Sequence, residues 1–168
     1  MYKLSRKNRL KIYSIEGPAC FVRSSKRSLI VDAEYQRAGM CVRKLRGNKC
    51  TTHRDFMFEF GAALQVFYEF GENWSAVAEI IRVMDEWLPA KGYVLVVEHA
   101  EAMFSAEPIE WTTFLKVVSI AKEWWSSPVV GNGRFDRDAL PFSVVFESSD
   151  PSFVSMLESL GTEFTVLD

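Results

Sequence analysis

Two histidines, three cysteines and a group of carboxylates beside a Phe-Gly turn are the side chains of this sequence with chemistry to offer. His53 and His99 are the only histidines. Neither lies in a nucleophile motif such as G-x-S-x-G or beside a recognisable catalytic cysteine, so nucleophilic and acid–base catalysis lack their usual machinery. The chain reads as a non-enzyme. Cys20, Cys41 and Cys50 are odd in number and form no C-x-x-C, which leaves ordinary reduced thiols. Cys50 and His53 have C-x-x-H spacing, but zinc would need two further ligands, and only Cys20, Cys41, His99 and scattered carboxylates remain to supply them. No metal and no cofactor is expected. GNGR at 131–134 lacks both the Walker lysine and the dinucleotide spacing, and reads as a turn.

What remains is VFYEFGENWSAVAEII, residues 66–81. Glu69, Phe70, Gly71 and Glu72 introduce Asn73, a good helix cap, and an apolar stripe at helical spacing follows. Glu72 falls where a helix dipole favours negative charge, and Glu79 continues the acidic face about two turns on. Carboxylates displayed in this way suit the recognition of a cationic surface.

The elements that must position them are legible. A chain of 168 residues, 48% hydrophobic with 13 Phe and 5 Trp, can bury a core of ordinary domain size. Net charge is −2, yet residues 1–54 hold 14 of the 20 Lys and Arg and only 3 of the 22 Asp and Glu. Such asymmetry suits a basic arm, an acidic body facing a cationic partner, or halves that neutralise one another. Lys3, Arg6, Lys7, Arg9 and Lys11 have few interleaved aromatics, which argues against nucleic acid as the partner. No apolar run reaches the roughly 18 residues of a membrane span, and the basic N-terminus lacks the pattern of a signal peptide, so a cytoplasmic protein is expected.

Short runs LKIYSI (10–15), ACFVR (19–23) and SLIVDA (28–33) predict a small β-type extension over 1–38. Strands are expected near 40–45, 93–98 and 142–147, the second as a continuous apolar run covered on both sides and the third as an apolar strand. Helices are expected near 53–67, capped by Thr52, near 74–87, and near 109–125 behind Pro108. A short helix over 151–160 and a terminal strand complete the tail. This order gives an α/β protein with a small parallel sheet, divided into an extension (1–38), a main domain (39–149) and a tail (150–168).

The wording FGENWSAV, with Trp87, YVLVVEHAE (93–101), the end of the 109–125 helix and PFSVVF (141–146), resembles the barstar family of intracellular ribonuclease inhibitors over roughly 39–148. The resemblance implies a three-stranded parallel sheet packed by helices. It also implies the partner, a cognate nuclease toxin of bacteria whose cationic active site the inhibitor blocks, as an immunity protein does. The family's inhibitory edge maps to Glu69, Phe70, Gly71, Glu72, Asn73, Ser75, Ala78 and Glu79. Ser75 and Glu79 stand where the family carries two aspartates, Ala78 where it has an anchoring tryptophan, and Ile120 where it has a further carboxylate, with Glu123 one turn on as a replacement. These departures keep open an alternative, a barstar-fold binding module with a different target or a regulatory role.

Overall fold

The computed structural model describes residues 14–24, 28–66 and 70–167. Ten elements follow in chain order: β1 (Cys20–Arg23), α1 (Ser28–Arg37), β2 (Cys41–Arg46), α2 (His53–Leu64), α3 (Trp74–Val83), β3 (Tyr93–Glu98), α4 (Glu110–Trp125), β4 (Phe142–Glu147), α5 (Pro151–Ser159) and β5 (Phe164–Leu167). All strand pairs are parallel, in the order β2-β3-β4-β1-β5.

The parallel sheet is as the sequence predicts, but it holds five strands rather than three. ACFVR pairs on one side with β4, Cys20 opposite Val144, and on the other with β5, Cys20 opposite Phe164. SLIVDA, read as a β-run, instead lies within α1. Four apolar or small residues in a row, Ser28 to Val31, suit a buried strand and a helix equally, and period alone cannot separate them. Asp32 and Tyr35, three residues apart, turn to the sheet together and are buried. In LKIYSI, residues 10–13 lie outside the described residues, and Ser14 and Ile15 are not in a strand.

Alternation along the strands sends side chains to two cores. Tyr93, Leu95, Val97, Phe142, Val144 and Phe146 join Cys20 and Val22 against α2 to α5. Phe21, Val94, Val96, Val145 and Leu167 face the other way, toward Tyr35 of α1. Covering both faces is what makes β3 apolar from Tyr93 to Val97 and buries every residue of β4, Ser143 included. The first core is aromatic at its centre: Phe56, Phe60, Phe104, Phe114 and Phe146 are fully buried, and their edge-to-face and tilted contacts extend to Trp74, Trp111 and Phe153.

Part of the charge asymmetry is neutralised inside the fold. Arg23, buried at the end of β1, pairs with Glu147 of β4 and, at 2.9 Å, with Asp32 of α1. Lys44 of β2 pairs with the other oxygen of Asp32 at 2.8 Å and with Glu98 at 3.0 Å. Basic residues of the first 54 thus join carboxylates across four strands and α1.

Candidate functional site

The candidate edge is built where α2 hands over to α3. α2 starts on Thr52, whose hydroxyl accepts from the Asp55 N–H at 3.1 Å, and stops at Gln65, a left-handed residue with φ 54°. The expected extension to 67 is therefore cut short, and 67–69, including Glu69, lie outside the described residues. The chain re-enters at Phe70, whose half-buried ring packs on Phe60 at 5.8 Å. A Cβ on Gly61 would stand 3.6 Å from that ring, an ordinary contact distance, so Phe70 lies over this turn of α2.

Gly71 is exposed, and it is not the residue that takes the left-handed turn. Glu72 does, at φ 42°, a conformation that costs a residue with a Cβ about 1–2 kcal/mol. Asn73 then caps α3 as its type predicts: its Oδ1 accepts from the Ala76 N–H at 3.0 Å, and its Nδ2 donates to the Gly71 carbonyl at 2.6 Å. Trp74, the first helical residue, is an anchor. Its ring packs 5.1 Å from Phe56 and its Nε1 donates to Glu110 at 2.7 Å.

Beyond this cap, Val77 and Ile81 are buried, while Ser75 and Glu79 share the outward face one turn apart. Ala78 is half-buried against the core. Glu72, Asn73, Ser75 and Glu79 are thus brought onto one exposed end and face of α3. Over the roughly 10 Å of helix between Glu72 and Glu79 the strip carries two carboxylates. The second is shared: Arg82 Nη1 stands 3.7 Å from Glu79, whose side chain is 63% exposed.

α4 runs alongside α3 in the same direction. Trp74 reaches Glu110 near the start of both helices, while Trp124 Nε1 and Trp125 Nε1 donate to the carbonyls of Arg82 and Ile81 near their ends, at 3.1 and 2.9 Å. Adjacent tryptophans therefore grip the same helix end. Trp124, half-buried, is covered by Arg82 and by Arg137 of the loop that follows α4. Glu123, just before it, is exposed on α4, and Ile120 is 46% exposed. The sequence reading missed Glu110 as the partner of Trp74; its only signal was an acidic residue in the first turn behind Pro108.

The residues with catalytic potential are dispersed. His99 is exposed with Glu101 3.9 Å from its Nδ1, and His53 packs edge-on to Trp74 at 5.5 Å. The three cysteines are free, and burial pushes Cys20 and Cys50 up to about 12, so both stay protonated. Among the described residues no three His, Cys, Asp or Glu converge on a metal position, and no helix is long and apolar enough to cross a membrane.

The fold is a parallel α/β sheet packed by helices, with the capped start of α3 and its outer face, which carry Glu72 and Glu79, exposed to solvent. The family model described as Barstar (barnase inhibitor) matches residues 40–147, and the chain belongs to the barstar family. Members of this family are inhibitors rather than enzymes, and their partner is a ribonuclease. No curated protein matches the chain. β1, α1, α5 and β5 lie outside the matched segment.

Proposed function

We propose that this protein is an immunity-type inhibitor that blocks the active site of a cognate ribonuclease toxin in the bacterial cytoplasm, using the loop and outer face of α3. The observation that carries this reading is Glu72. A carboxylate occupies a left-handed position where glycine would be free of strain, directly before the α3 cap and with Glu79 exposed on the same side. A ribonuclease cleft holds phosphates and is cationic, so carboxylates set just before and along a helix mimic the substrate and steer association. Glu69, Phe70, Gly71, Asn73, Ser75 and Ala78 complete the contact, and Glu123 extends it onto α4.

The test is association kinetics with a panel of secreted microbial ribonucleases, barnase included, at two ionic strengths. Reversing Glu72 and Glu79 to Lys is expected to slow association at least tenfold and flatten its salt dependence. Reversal of Glu158 and Glu163, exposed in or beside α5, is expected to change it less than twofold. Glu107 is unsuitable as a control because its carboxylate accepts from the His53 N–H at 2.7 Å. Equal effects from the two pairs would show that only overall charge matters and that the edge is misplaced.

A second reading, a barstar-fold module with a different protein target or a regulatory role, is favoured by one observation. Half-buried Ala78 and exposed Ile120 put uncharged side chains where the family carries an anchoring tryptophan and a carboxylate. Binding to no ribonuclease of the panel would select it.

A further inference from the structure

One turn beyond Glu79, an arginine is held in place by an aromatic ring. The Arg82 guanidinium lies over Trp124, 4.1 Å from the ring centroid, and the Trp124 Nε1 donates back to the Arg82 carbonyl at 3.1 Å. Ring and cation are fastened to each other twice. Arg137 also packs here, 5.6 Å from the Trp124 ring centroid and 4.2 Å from that of Trp125, with its Nη2 donating to the Trp124 carbonyl at 2.9 Å. The Arg82 Nε is sealed from solvent and has no hydrogen-bond partner among the described residues. Its outer nitrogens are differently placed. The side chain is 39% exposed, and its ion pair with Glu79 at 3.7 Å is too long for a hydrogen bond.

A loose pair of exposed charges holds neither member strongly. Arg82 therefore presents to solvent a guanidinium whose position is already set by Trp124. A free arginine loses rotamer entropy when it docks, and one laid on a ring has lost much of it beforehand. Arginine and tryptophan are also the residue types around which interface energy concentrates. A planar fork of N–H donors is matched best by a carboxylate, which it can bind through two hydrogen bonds.

Building on the ribonuclease-binding role proposed above, we infer that Arg82 is a specificity-determining contact that grips a carboxylate on the partner, beside the cations that meet Glu72 and Glu79. A uniformly cationic cleft would repel Arg82. The partner that fits this edge carries an Asp or Glu among its basic residues at the place facing the end of α3. Signs along the edge thus alternate, and a ribonuclease lacking that carboxylate is bound more weakly.

The test begins with the full-length free protein. The Arg82 Nε–H resonance is expected upfield, shifted by the Trp124 ring and slow to exchange; its absence from that position overturns the assignment. Arg82→Met then keeps an unbranched chain over the ring without charge, and Arg82→Lys keeps the charge without the fork. Against the panel ribonuclease that the wild type inhibits, Arg82→Met is expected to dissociate at least tenfold faster, with Arg82→Lys between it and wild type. If Arg82 merely neutralises Glu79, its removal takes a like charge from the interface and binding tightens, which overturns the inference and leaves the ribonuclease reading intact. Affinity within twofold of wild type does the same. Loss of binding to a single-stranded RNA oligonucleotide in Arg82→Met would assign the fork to phosphate and overturn the carboxylate. A wild-type chain that binds no ribonuclease removes both readings, and is recognised before any variant is made.

Discussion

Arg23→Leu is expected to be among the costliest single substitutions in this protein, although Arg23 lies outside the segment matched by the family. Its side chain is 2% exposed, and the two carboxylates it serves, Asp32 and Glu147, are 8% and 4% exposed. At the 2.9 Å of the Asp32 contact, unit charges in an effective dielectric of 20 attract by roughly 6 kcal/mol. Much of that gain is offset by the desolvation of the ions themselves. Removing Arg23 leaves Asp32 with Lys44, but it strands Glu147 in the interior. The expected net loss is about 3–5 kcal/mol, which for a domain of this size lowers Tm by roughly 10–15 °C. Arg23→Leu combined with Glu147→Leu is expected to regain more than half of the loss, because an apolar pair of similar volume need not be desolvated.

The pH dependence supplies an internal control. Burial pushes the Glu147 carboxyl above its usual range, with Arg23 pulling the other way. A carboxyl raised in the folded state favours folding most below its ordinary value and loses that contribution as pH rises through the folded value. Stranding Glu147 raises it further, so the deficit of Arg23→Leu should be smaller at pH 5 than at pH 7. Urea unfolding at both pH values measures this. A loss under 1 kcal/mol at pH 7, well below the range for a stranded buried ion, or a double variant no better than the single one, would refute the reasoning.

Two further expectations concern the edge and its support. Glu72→Gly relieves the left-handed φ and should leave stability unchanged or higher by about 1 kcal/mol, while weakening ribonuclease binding; urea midpoints and dissociation rates on the same preparations check both halves. Glu59 accepts from Arg46 through both oxygens at 2.7 Å, and these bonds outweigh its desolvation and hold its carboxyl below the usual value of 4.5. Its contribution is therefore present above about pH 4.5 and lost as pH falls through the lower folded value, so Glu59→Gln should lower the urea midpoint at pH 7, and by progressively less as pH falls below 4.5.

The elements carried by strong local signals are those the sequence determined. Thr52 and Asn73 cap α2 and α3 because a short side-chain acceptor satisfies the free N–H groups of a first turn wherever it occurs. The stripe of Trp111, Phe114, Leu115, Val118, Ala121 and Trp125 announced α4, although Leu115 is only half-buried, and the unbroken apolar run of β3 announced a strand covered on both sides. The row Glu72, Ser75 and Glu79 could be placed on one helix face from spacing alone. The tertiary structure decided whatever depends on contacts between distant residues. β1 and β5 complete the sheet through pairings of Cys20 with Val144 and Phe164, more than 120 residues away, and four-residue strands carry no local signal of such partners. SLIVDA became a helix because the second face of the sheet needs Tyr35 to cover it and Asp32 to meet Arg23 and Lys44. Gly71 looked like the turn residue, yet the left-handed position fell to Glu72. Arg82 was visible only as a neighbour of Glu79; its fixed orientation comes from Trp124, 42 residues on in the chain, because stacking is a property of the folded seam between α3 and α4 and of neither helix alone.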